Sequence, residues 1–311
     1  MLTVWRTESA TTVLRIEMNP QIEWSAQQLA QAVQHDVRKA LDEDVGTGDL
    51  TAALIAPDTQ AHARVLARES AVICGRPWVE ATLQAIDTNV QVVWHVAEGQ
   101  RCAPNTVVLE LWGKAQSILT AERTVLNFMQ TLSAVATKVA VYVARVAGTR
   151  AQIVDTRKTL PGLRMAQKYA VTVGGGANHR MGLYDAVLIK ENHIAAAGGV
   201  RAVLAQVNAQ APQARFVQIE VETLPQLQEA LEAGARMVLL DNMDIPTLQQ
   251  AVAMNAEFAK THGQGAVLEI SGGVNLDTVA DLAQTGVDRI SIGALTKDVQ
   301  AIDFSMRFDT L

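Results

Sequence analysis

Apolar residues in the second half of the chain recur in short continuous runs separated by amphipathic stretches. The runs cover 152–156, 186–190, 216–222, 237–242, 267–273 and 289–295. Segments with helical spacing lie at 199–210, 224–234, 245–260 and 275–286. Because parallel strands covered by helices are apolar on both faces, this alternation predicts a parallel sheet with helices packed against it.

Each predicted strand ends in polar residues or glycines. These end positions are Asp155 to Lys158, Lys190, Glu220, Asp241, Ser271 to Gly273, and Ser291 with Gly293. They come together only if the strands curl into a barrel, in which all strands end on one face. A doubly wound open sheet would keep the outer strands away from the ligand crevice. Since six strands are recognisable where a full barrel has eight, the pattern predicts an incomplete, irregular TIM-like α/β barrel.

The first half of the chain has a different periodicity. Apolar residues four positions apart, from Leu29 to Leu41, predict a helix that begins after Ser25 and ends at the glycines of EDVGTGD. Strand-like runs follow at 63–75, 90–99 and 106–113, with a helical segment at 77–86. Together they predict an antiparallel sheet with helices, that is, an α+β layer.

Between the two halves, the stretch 117–147 predicts one long helix, or two, with Ser117 as the N-cap and an end at Gly148. Its most apolar part, 134–147, contains two basic residues and is too short to span a bilayer. We therefore expect no membrane association.

The beginning of the chain and the cysteines bear on its location. Residues 1–22 carry no usable pattern, and we predict an N-terminal extension over residues 1–23. This stretch lacks the sustained apolar core of a signal peptide. Cys74 and Cys102 have no metal-ligand spacing and can form at most one disulfide. We therefore expect a reduced, cytoplasmic protein.

The charge of the chain is unevenly distributed. Over 311 residues the net charge is -6, which argues against a general nucleic-acid binder, because such proteins need a broad basic surface. Yet six lysines or arginines and His179 lie between Arg157 and Lys190, with Asp185 as the one acid. Such a patch suits a small ligand with several negative charges. Three glycines at 174–176 allow the backbone to approach that ligand closely.

Individual residues of this cationic block suggest how the ligand is held. Arg157 and Lys158 follow the first barrel strand, where arginine can pair with a carboxylate or phosphate; the alternative is a solvated loop of charges. The position of Lys190 favours ligand binding over a solvated loop, because a lysine at a barrel mouth is costly to desolvate without an anionic partner. A single histidine is more often structural, but His179 and Arg180 lie within the block and favour ligand contact. We expect no zinc site, since no second histidine or cysteine has suitable spacing.

The remaining strand ends suggest a sugar phosphate. Glu220 and Asp241 end neighbouring strands, where carboxylates can hold Mg²⁺ or stabilise positive charge on a sugar ring; alternatively, they pair with the nearby cations. The last two strands end in SGGV and SIGA, at 271–274 and 291–294. Glycine-rich turns before helix N-termini present backbone N–H groups to a phosphate.

Several motifs in order give the chain a family resemblance. They are ALDEDVGTGDLT, ERTVLNFMQTLSAVAT, DTRKTLPGLR, KYAVTVGGGANHRMGLYDAVLIKENH, IEVET, LLDNM, EISGGV and SIGALT. The chain resembles quinolinate phosphoribosyltransferases over about residues 24–308. The resemblance implies an α/β sandwich domain at 24–127, completed by the C-terminal tail 298–311, and an incomplete α/β barrel at 128–297. It also implies a homodimer in which the partner's sandwich domain closes each barrel mouth.

The resemblance also implies roles for individual residues. Quinolinate would be bound by Arg157, His179, Arg180 and Lys190, together with the partner subunit's Arg123. Lys158, Glu220 and Asp241 would be the catalytic residues, handling the ribose and Mg²⁺-pyrophosphate of phosphoribosyl pyrophosphate. Ser271, Gly272, Gly273 and Gly293 would cradle its 5′-phosphate, and Ser291 and Lys297 are assigned to the same substrate. Lys297 stands where the family usually has histidine; a lysine still contacts phosphate as a point charge, so we expect function to be retained with a weaker pH dependence.

The implied reaction joins quinolinate to phosphoribosyl pyrophosphate, giving nicotinate mononucleotide, pyrophosphate and CO₂, a step of de novo NAD biosynthesis. Two alternatives remain open from the sequence. One is a related barrel that uses another acid or serves in molybdenum handling, against which the complete set of predicted quinolinate-binding residues argues. The other is a non-catalytic phosphate-binding barrel, against which Lys158, Glu220 and Asp241 argue.

Overall fold

A computed structural model describes residues 25–310. The predicted N-terminal extension, residues 1–23, lies outside this range. Within the range, none of the helices is both long enough and apolar enough to cross a bilayer.

The first helix, α1 (Ala26–Asp44), begins where the sequence predicts. The Ser25 hydroxyl accepts a hydrogen bond from the Gln28 backbone N–H at 3.1 Å, and Gln28 Oε1 accepts one from the Ser25 N–H at 3.1 Å. This capping box satisfies donors that the first turn leaves without partners. Gly46, at φ +51°, follows the helix end. The prediction of this helix is confirmed.

The N-terminal half forms a small layered domain. Its elements are a 3₁₀ turn (Ala52–Leu54), β1 (Gln60–Ala67), β2 (Ala71–Val72), α2 (Arg76–Ile86), β3 (Gln91–Trp94), β4 (Arg101–Cys102) and β5 (Thr106–Lys114). The last strand of the chain, β12 (Phe304–Thr310), returns to this domain and pairs with β1, so the antiparallel sheet has the order β12-β1-β5-β3. The predicted run 63–75 is wrong as a single strand. It divides between β1 and β2, which lie in different sheets, because polar residues at 68–70 interrupt the alternation.

A single helix, α3 (Ala115–Arg145), connects the two halves over 31 residues. The prediction of Ser117 as its N-cap is wrong: β5 leads directly into the helix, and the Ser117 hydroxyl donates to Asp87 Oδ2 at 2.8 Å. The Ala115 N–H donates to the Thr59 carbonyl at 2.8 Å, which satisfies one of the backbone donors that the first turn leaves without a partner in the helix. The helix contributes buried residues to two hydrophobic clusters, one centred on the N-terminal sheet and one on the parallel sheet. The domain boundary predicted between residues 127 and 128 falls inside this helix. The domain boundaries therefore stay predictions.

The C-terminal half alternates strands and helices as the sequence predicts. Its elements are β6 (Gln152–Val154), α4 (Arg164–Val173), β7 (Val187–Ile189), α5 (Glu191–Ala197), α6 (Val200–Gln210), β8 (Val217–Val221), α7 (Leu224–Glu232), β9 (Met237–Asp241), α8 (Ile245–His262), β10 (Val267–Ser271), α9 (Val279–Gln284), β11 (Arg289–Ser291) and α10 (Ala294–Lys297). The six strands are parallel in the order β6-β11-β10-β9-β8-β7. β6 and β7 lie at the two edges, so hydrogen bonds do not close the barrel. The predicted incomplete α/β barrel is confirmed.

Candidate active site

The carboxyl ends of the six parallel strands form what we call the barrel mouth. In the strand register, Ser271 of β10 lies opposite both Asp241 of β9 and Ser291 of β11. Parallel strands in register end at the same level, so the polar residues that follow them share one face. The Ser291 side chain is buried, and its hydroxyl donates to the Ile270 carbonyl at 3.3 Å.

Lys158 lies against the glycine turn that follows β11. A Cβ at Gly293 would stand 2.8 Å from Lys158 Cδ. Gly293 has an ordinary helical φ of -68°, so its backbone does not require glycine. The absence of a side chain instead allows Lys158 to approach closely. The Thr296 hydroxyl donates to the Lys158 carbonyl at 2.7 Å and ties the two segments together. The exposed residue Lys158 is thus attached, through its backbone carbonyl, to the turn predicted to hold phosphate.

The turn after β10 brings a second pair of predicted residues together. Gly272 and Gly273 adopt φ +93° and +63°, a left-handed conformation that costs glycine little. A Cβ at Gly272 would lie 3.7 Å from Asp241 Oδ1. The carboxylate therefore flanks an exposed stretch of backbone at the barrel mouth.

Lys190 and Glu220 form an ion pair across the ends of β7 and β8. Lys190 Nζ lies 3.3 Å from Glu220 Oε2, with side-chain exposures of 54% and 15%. The alternative considered from the sequence, that these carboxylates pair with nearby cations, therefore holds for Glu220 in this structure.

Two arginines of the cationic block, Arg157 and Arg180, lie close enough to influence each other. Arg180 is buried, and its Nη1 donates to the Ala186 carbonyl at 3.2 Å. Burial first, and then the charge of Arg157, lower the pKa of the Arg180 guanidinium. Two neighbouring guanidinium groups attract an anion of matching size. The backbone carbonyl of Arg157 accepts a hydrogen bond from Arg164 Nη2 at 3.3 Å, so Arg164 supports this arrangement.

Lys168, another member of the cationic block, points away from the barrel mouth. It is fully buried in an ion pair with the fully buried Asp155. Burial raises the pKa of Asp155 to about 6 and lowers that of Lys168. The pair therefore belongs to the protein interior and does not line a ligand-binding surface.

His179 also lies inside the barrel, with 6% of its surface exposed. Its Nε2 is 2.8 Å from Gln218 Oε1 and 3.7 Å from Glu269 Oε1. Burial lowers the pKa of the imidazole. Glu269 is itself paired with Arg289, whose Nε lies 3.0 Å from Glu269 Oε2, and both side chains are fully buried. Our sequence reasoning missed Gln218, Glu269 and Arg289; the available signal was a polar residue inside an otherwise apolar strand.

Arg123 is exposed on α3. Among the residues that the structure describes, its guanidinium forms no ion pair. Its helical neighbour Thr120 donates to Asp49 Oδ2 at 2.9 Å, which ties α3 to the segment after α1. Within residues 25–310, no hydrogen bond or ion pair joins the Arg123 side chain to the barrel mouth of its own chain.

The described part of the chain contains no cluster of three or more histidine, cysteine, aspartate or glutamate side chains arranged to hold a metal ion. Glu220 and Asp241 nevertheless stand at the barrel mouth as carboxylate ligands of the type Mg²⁺ accepts. Mg²⁺ commonly takes one or two protein carboxylates and completes its shell with water and substrate phosphate. The donor set fits a metal that arrives with a phosphorylated substrate.

Comparison with known proteins agrees with this geometry. Residues 49–133 match the family model "Quinolinate phosphoribosyl transferase, N-terminal domain", and residues 135–307 match the C-terminal domain of the same family. A probable nicotinate-nucleotide pyrophosphorylase [carboxylating] of Bacillus subtilis is 39% identical over 264 residues, covering 85% of this chain and 89% of that protein. The corresponding Mycobacterium leprae protein is 40% identical over 282 residues, covering 88% and 96%.

A solved structure supports the same assignment. The nicotinate-nucleotide pyrophosphorylase from Francisella tularensis superimposes with a TM-score of 0.86 and 39% identity, covering 94% of this chain and all of that one. With both domain models matched in order and relatives similar over nearly their whole length, the chain belongs to the quinolinate phosphoribosyltransferase family.

Proposed function

We propose that this protein transfers the phosphoribosyl group of phosphoribosyl pyrophosphate to quinolinate, releasing CO₂ and pyrophosphate and forming nicotinate mononucleotide. Membership of the family and the names of its relatives support this reaction. The observation that carries it is the meeting of two kinds of group at one barrel mouth. Cations suited to a dicarboxylate stand beside a lysine, two carboxylates and glycine turns suited to a sugar phosphate.

Quinolinate is a pyridine dicarboxylate and needs several cations. We assign Arg157, Arg180 and Lys190 to its carboxylates, with His179 behind them. The mutual influence of the two arginines supports this assignment, because like charges held together favour an anion between them. Fixed cations also bring two anionic substrates side by side, and such positioning accounts for much of the rate in bimolecular reactions.

Phosphoribosyl pyrophosphate is assigned to the opposite side of the barrel mouth. The exposed backbone at Gly272 and Gly273 suits the 5′-phosphate, with Gly293, Ser271, Ser291 and Lys297 completing the cradle. We assign Lys158, whose side chain packs against Gly293, to the same substrate as a compact positive charge suited to phosphate.

The proposed chemistry needs no covalent enzyme intermediate. The ring nitrogen of quinolinate forms a bond to the anomeric carbon as the bond to pyrophosphate breaks. Positive charge develops on the ribose ring, where Glu220 and Asp241 stabilise it. The bond between C2 and its carboxylate then breaks as CO₂ leaves. Its electron pair stays on C2, stabilised by the adjacent positively charged ring nitrogen, and a proton adds to C2.

We propose Mg²⁺ as the cofactor, held by Glu220 and Asp241 directly or through water. When bound, it supplies charge neutralisation to the pyrophosphate leaving group. Lys158 contributes to the same neutralisation from the protein side.

We further propose a homodimer in which the partner subunit's Arg123 completes the quinolinate site. The exposed Arg123 without an ion pair among the described residues supports this proposal. So do the exposed apolar side chains of Leu50, Leu54, Leu183 and Tyr184, since exposed apolar surface beside a site often marks an interface. The proposed location is the cytoplasm; both cysteines are free and buried.

The experiment incubates purified protein with Mg²⁺, phosphoribosyl pyrophosphate and quinolinate, or with nicotinate instead. We expect nicotinate mononucleotide and one CO₂ per turnover with quinolinate only. Turnover of nicotinate in its place would favour a related transferase. Binding of phosphoribosyl pyrophosphate without turnover of either acid would favour a non-catalytic phosphate-binding barrel.

A further inference from the structure

Every polar group of His179 has a partner within the protein. Its backbone N–H donates to Asp155 Oδ1 at 2.8 Å, and its carbonyl accepts from Lys168 Nζ at 2.9 Å. On the ring, Nδ1 accepts from the Arg180 backbone N–H at 2.8 Å, and Nε2 lies 2.8 Å from Gln218 Oε1. The residue is therefore held at four points.

These contacts fix the position of the imidazole proton. Because Nδ1 receives the N–H of Arg180, it carries no proton of its own. A neutral imidazole with a free Nδ1 has its proton on Nε2, and the amide oxygen of Gln218 is the acceptor for that proton. Protonation at Nδ1 would turn two donors towards each other and break the bond to Arg180.

The charged groups around the ring do not reverse this assignment. Glu269 lies 3.7 Å from Nε2, but its charge is compensated by Arg289. Lys168 and Asp155 face the residue as an ion pair of their own. The ring packs nearly perpendicular to that of Phe216, with ring centres 5.4 Å apart. Burial among compensated pairs favours the neutral imidazole.

We propose that His179 is a positioning residue: Gln218 holds its ring as the neutral Nε2–H tautomer, and the ring holds the backbone of Arg180, which contacts the acid substrate. The identity of that substrate rests on the proposed function. A neutral ring also avoids a further buried positive charge near Arg289 and Lys168, the cations that face it.

The first test is nitrogen NMR of the histidine rings in the substrate-free protein. The chain has six histidines, and the variant His179→Asn identifies the signal of His179 by its loss. Expected is a neutral Nε2–H ring throughout about pH 6 to 8, a range in which an unperturbed histidine titrates. A ring that is protonated in this range, or that carries its proton on Nδ1, would overturn the proposal.

The second test is the KM for quinolinate over the same pH range. Asparagine at 179 retains an oxygen that can accept the Arg180 N–H, so we expect a rise in KM of no more than about tenfold, the effect of a neutral hydrogen bond. The slope of KM with pH should equal that of the wild type. A wild-type KM that rises above about pH 6.5, with the rise absent from His179→Asn, would identify a charged histidine and overturn the proposal.

The variant Gln218→Met connects the two tests, because it removes the acceptor for Nε2 and keeps a side chain of similar length. Expected are a titrating or mixed-tautomer His179 signal and a higher KM for quinolinate, with the KM for phosphoribosyl pyrophosphate unchanged. An unchanged His179 signal in a folded Gln218→Met protein would contradict the role of Gln218. Should that variant fail to fold, the wild type and His179→Asn still decide the tautomer. Since NMR requires no turnover, a protein inactive on quinolinate would refute the proposed function and leave the tautomer assignment intact.

Discussion

Lys190 Nζ lies 3.3 Å from Glu220 Oε2, so a cation proposed for one substrate is paired with a carboxylate proposed for the other. Lys190 is more than half exposed, and ion pairs of this kind contribute little to stability. The pair can therefore separate when substrates bind. Lys190 is then available to a quinolinate carboxylate, and Glu220 to the ribose.

Lys190→Met should raise the KM for quinolinate roughly 10- to 100-fold, the effect of removing a hydrogen bond to a charged group. The KM for phosphoribosyl pyrophosphate should change little. Steady-state kinetics with each substrate varied in turn measures both. The matched control is Lys260→Met, which removes an exposed lysine paired with Glu257 on α8. Equal effects on both KM values would contradict the assignment of Lys190.

Mixing Arg123→Ala with Lys190→Ala should restore activity if the site is shared between subunits. Each hybrid dimer has one site with both residues intact, so a freely exchanging equal mixture should reach about a quarter of wild-type activity. The measurement is the rate after subunits have been exchanged and hybrid formation has been demonstrated by two affinity tags. Hybrids without recovered activity would show that Arg123 serves its own subunit or no site.

Gly293→Ala should raise the KM for phosphoribosyl pyrophosphate while leaving the free energy of unfolding nearly unchanged. Its backbone accommodates alanine, but the added methyl group would displace the flexible Lys158 side chain. Gly176→Ala is the contrasting variant, because its methyl group would meet Val139 and Val171 at 2.9 Å in the packed interior. That variant should lose stability, since overpacking typically costs about 1–3 kcal/mol. Urea unfolding and kinetics on both proteins separate the two effects.

Lys297→His should make the binding of phosphoribosyl pyrophosphate more dependent on pH. A lysine remains charged across the neutral range, whereas a histidine loses its charge above about pH 6.5. We expect the KM of the variant to match the wild type on the acidic side and to rise on the alkaline side. A parallel pH profile for the two proteins would indicate that residue 297 does not contact phosphate.

Lys168→Met should lower the free energy of unfolding by about 3–5 kcal/mol, because it leaves the buried Asp155 carboxylate without its partner. Burial raises the pKa of Asp155 to about 6, so the folded state prefers the protonated acid. The loss should therefore be smaller below that pH and larger above it. Urea unfolding on both sides of pH 6 measures this difference.

The double variant Asp155→Asn/Lys168→Met is the control for that prediction. It removes both charges, so it should lose less stability than the two single variants added together. Simple additivity would show that the two residues do not act as a pair.

Much of the fold could be predicted from periodicity. The α1 helix, the alternation of strands and helices after residue 150, and the incomplete barrel all follow from the positions of apolar residues. The misplaced N-cap at Ser117 had a different cause. A serine near a helix start is a good cap only when the chain enters through a loop, and here β5 continues directly into α3, with Thr59 as the acceptor.

The sequence by itself determined which chemical groups end the strands, because a parallel strand is recognisable from its apolar run and its last residue is then known. Only the tertiary structure decided how the cationic block is divided. Lys190 pairs with Glu220 at the barrel mouth, Lys168 turns inward to Asp155, and His179 is enclosed beside Gln218. The reason is physical: spacing along the chain does not specify which side of the barrel wall a side chain takes. That choice depends on partners distant in sequence, which compensate each buried charge or hydrogen-bonding group.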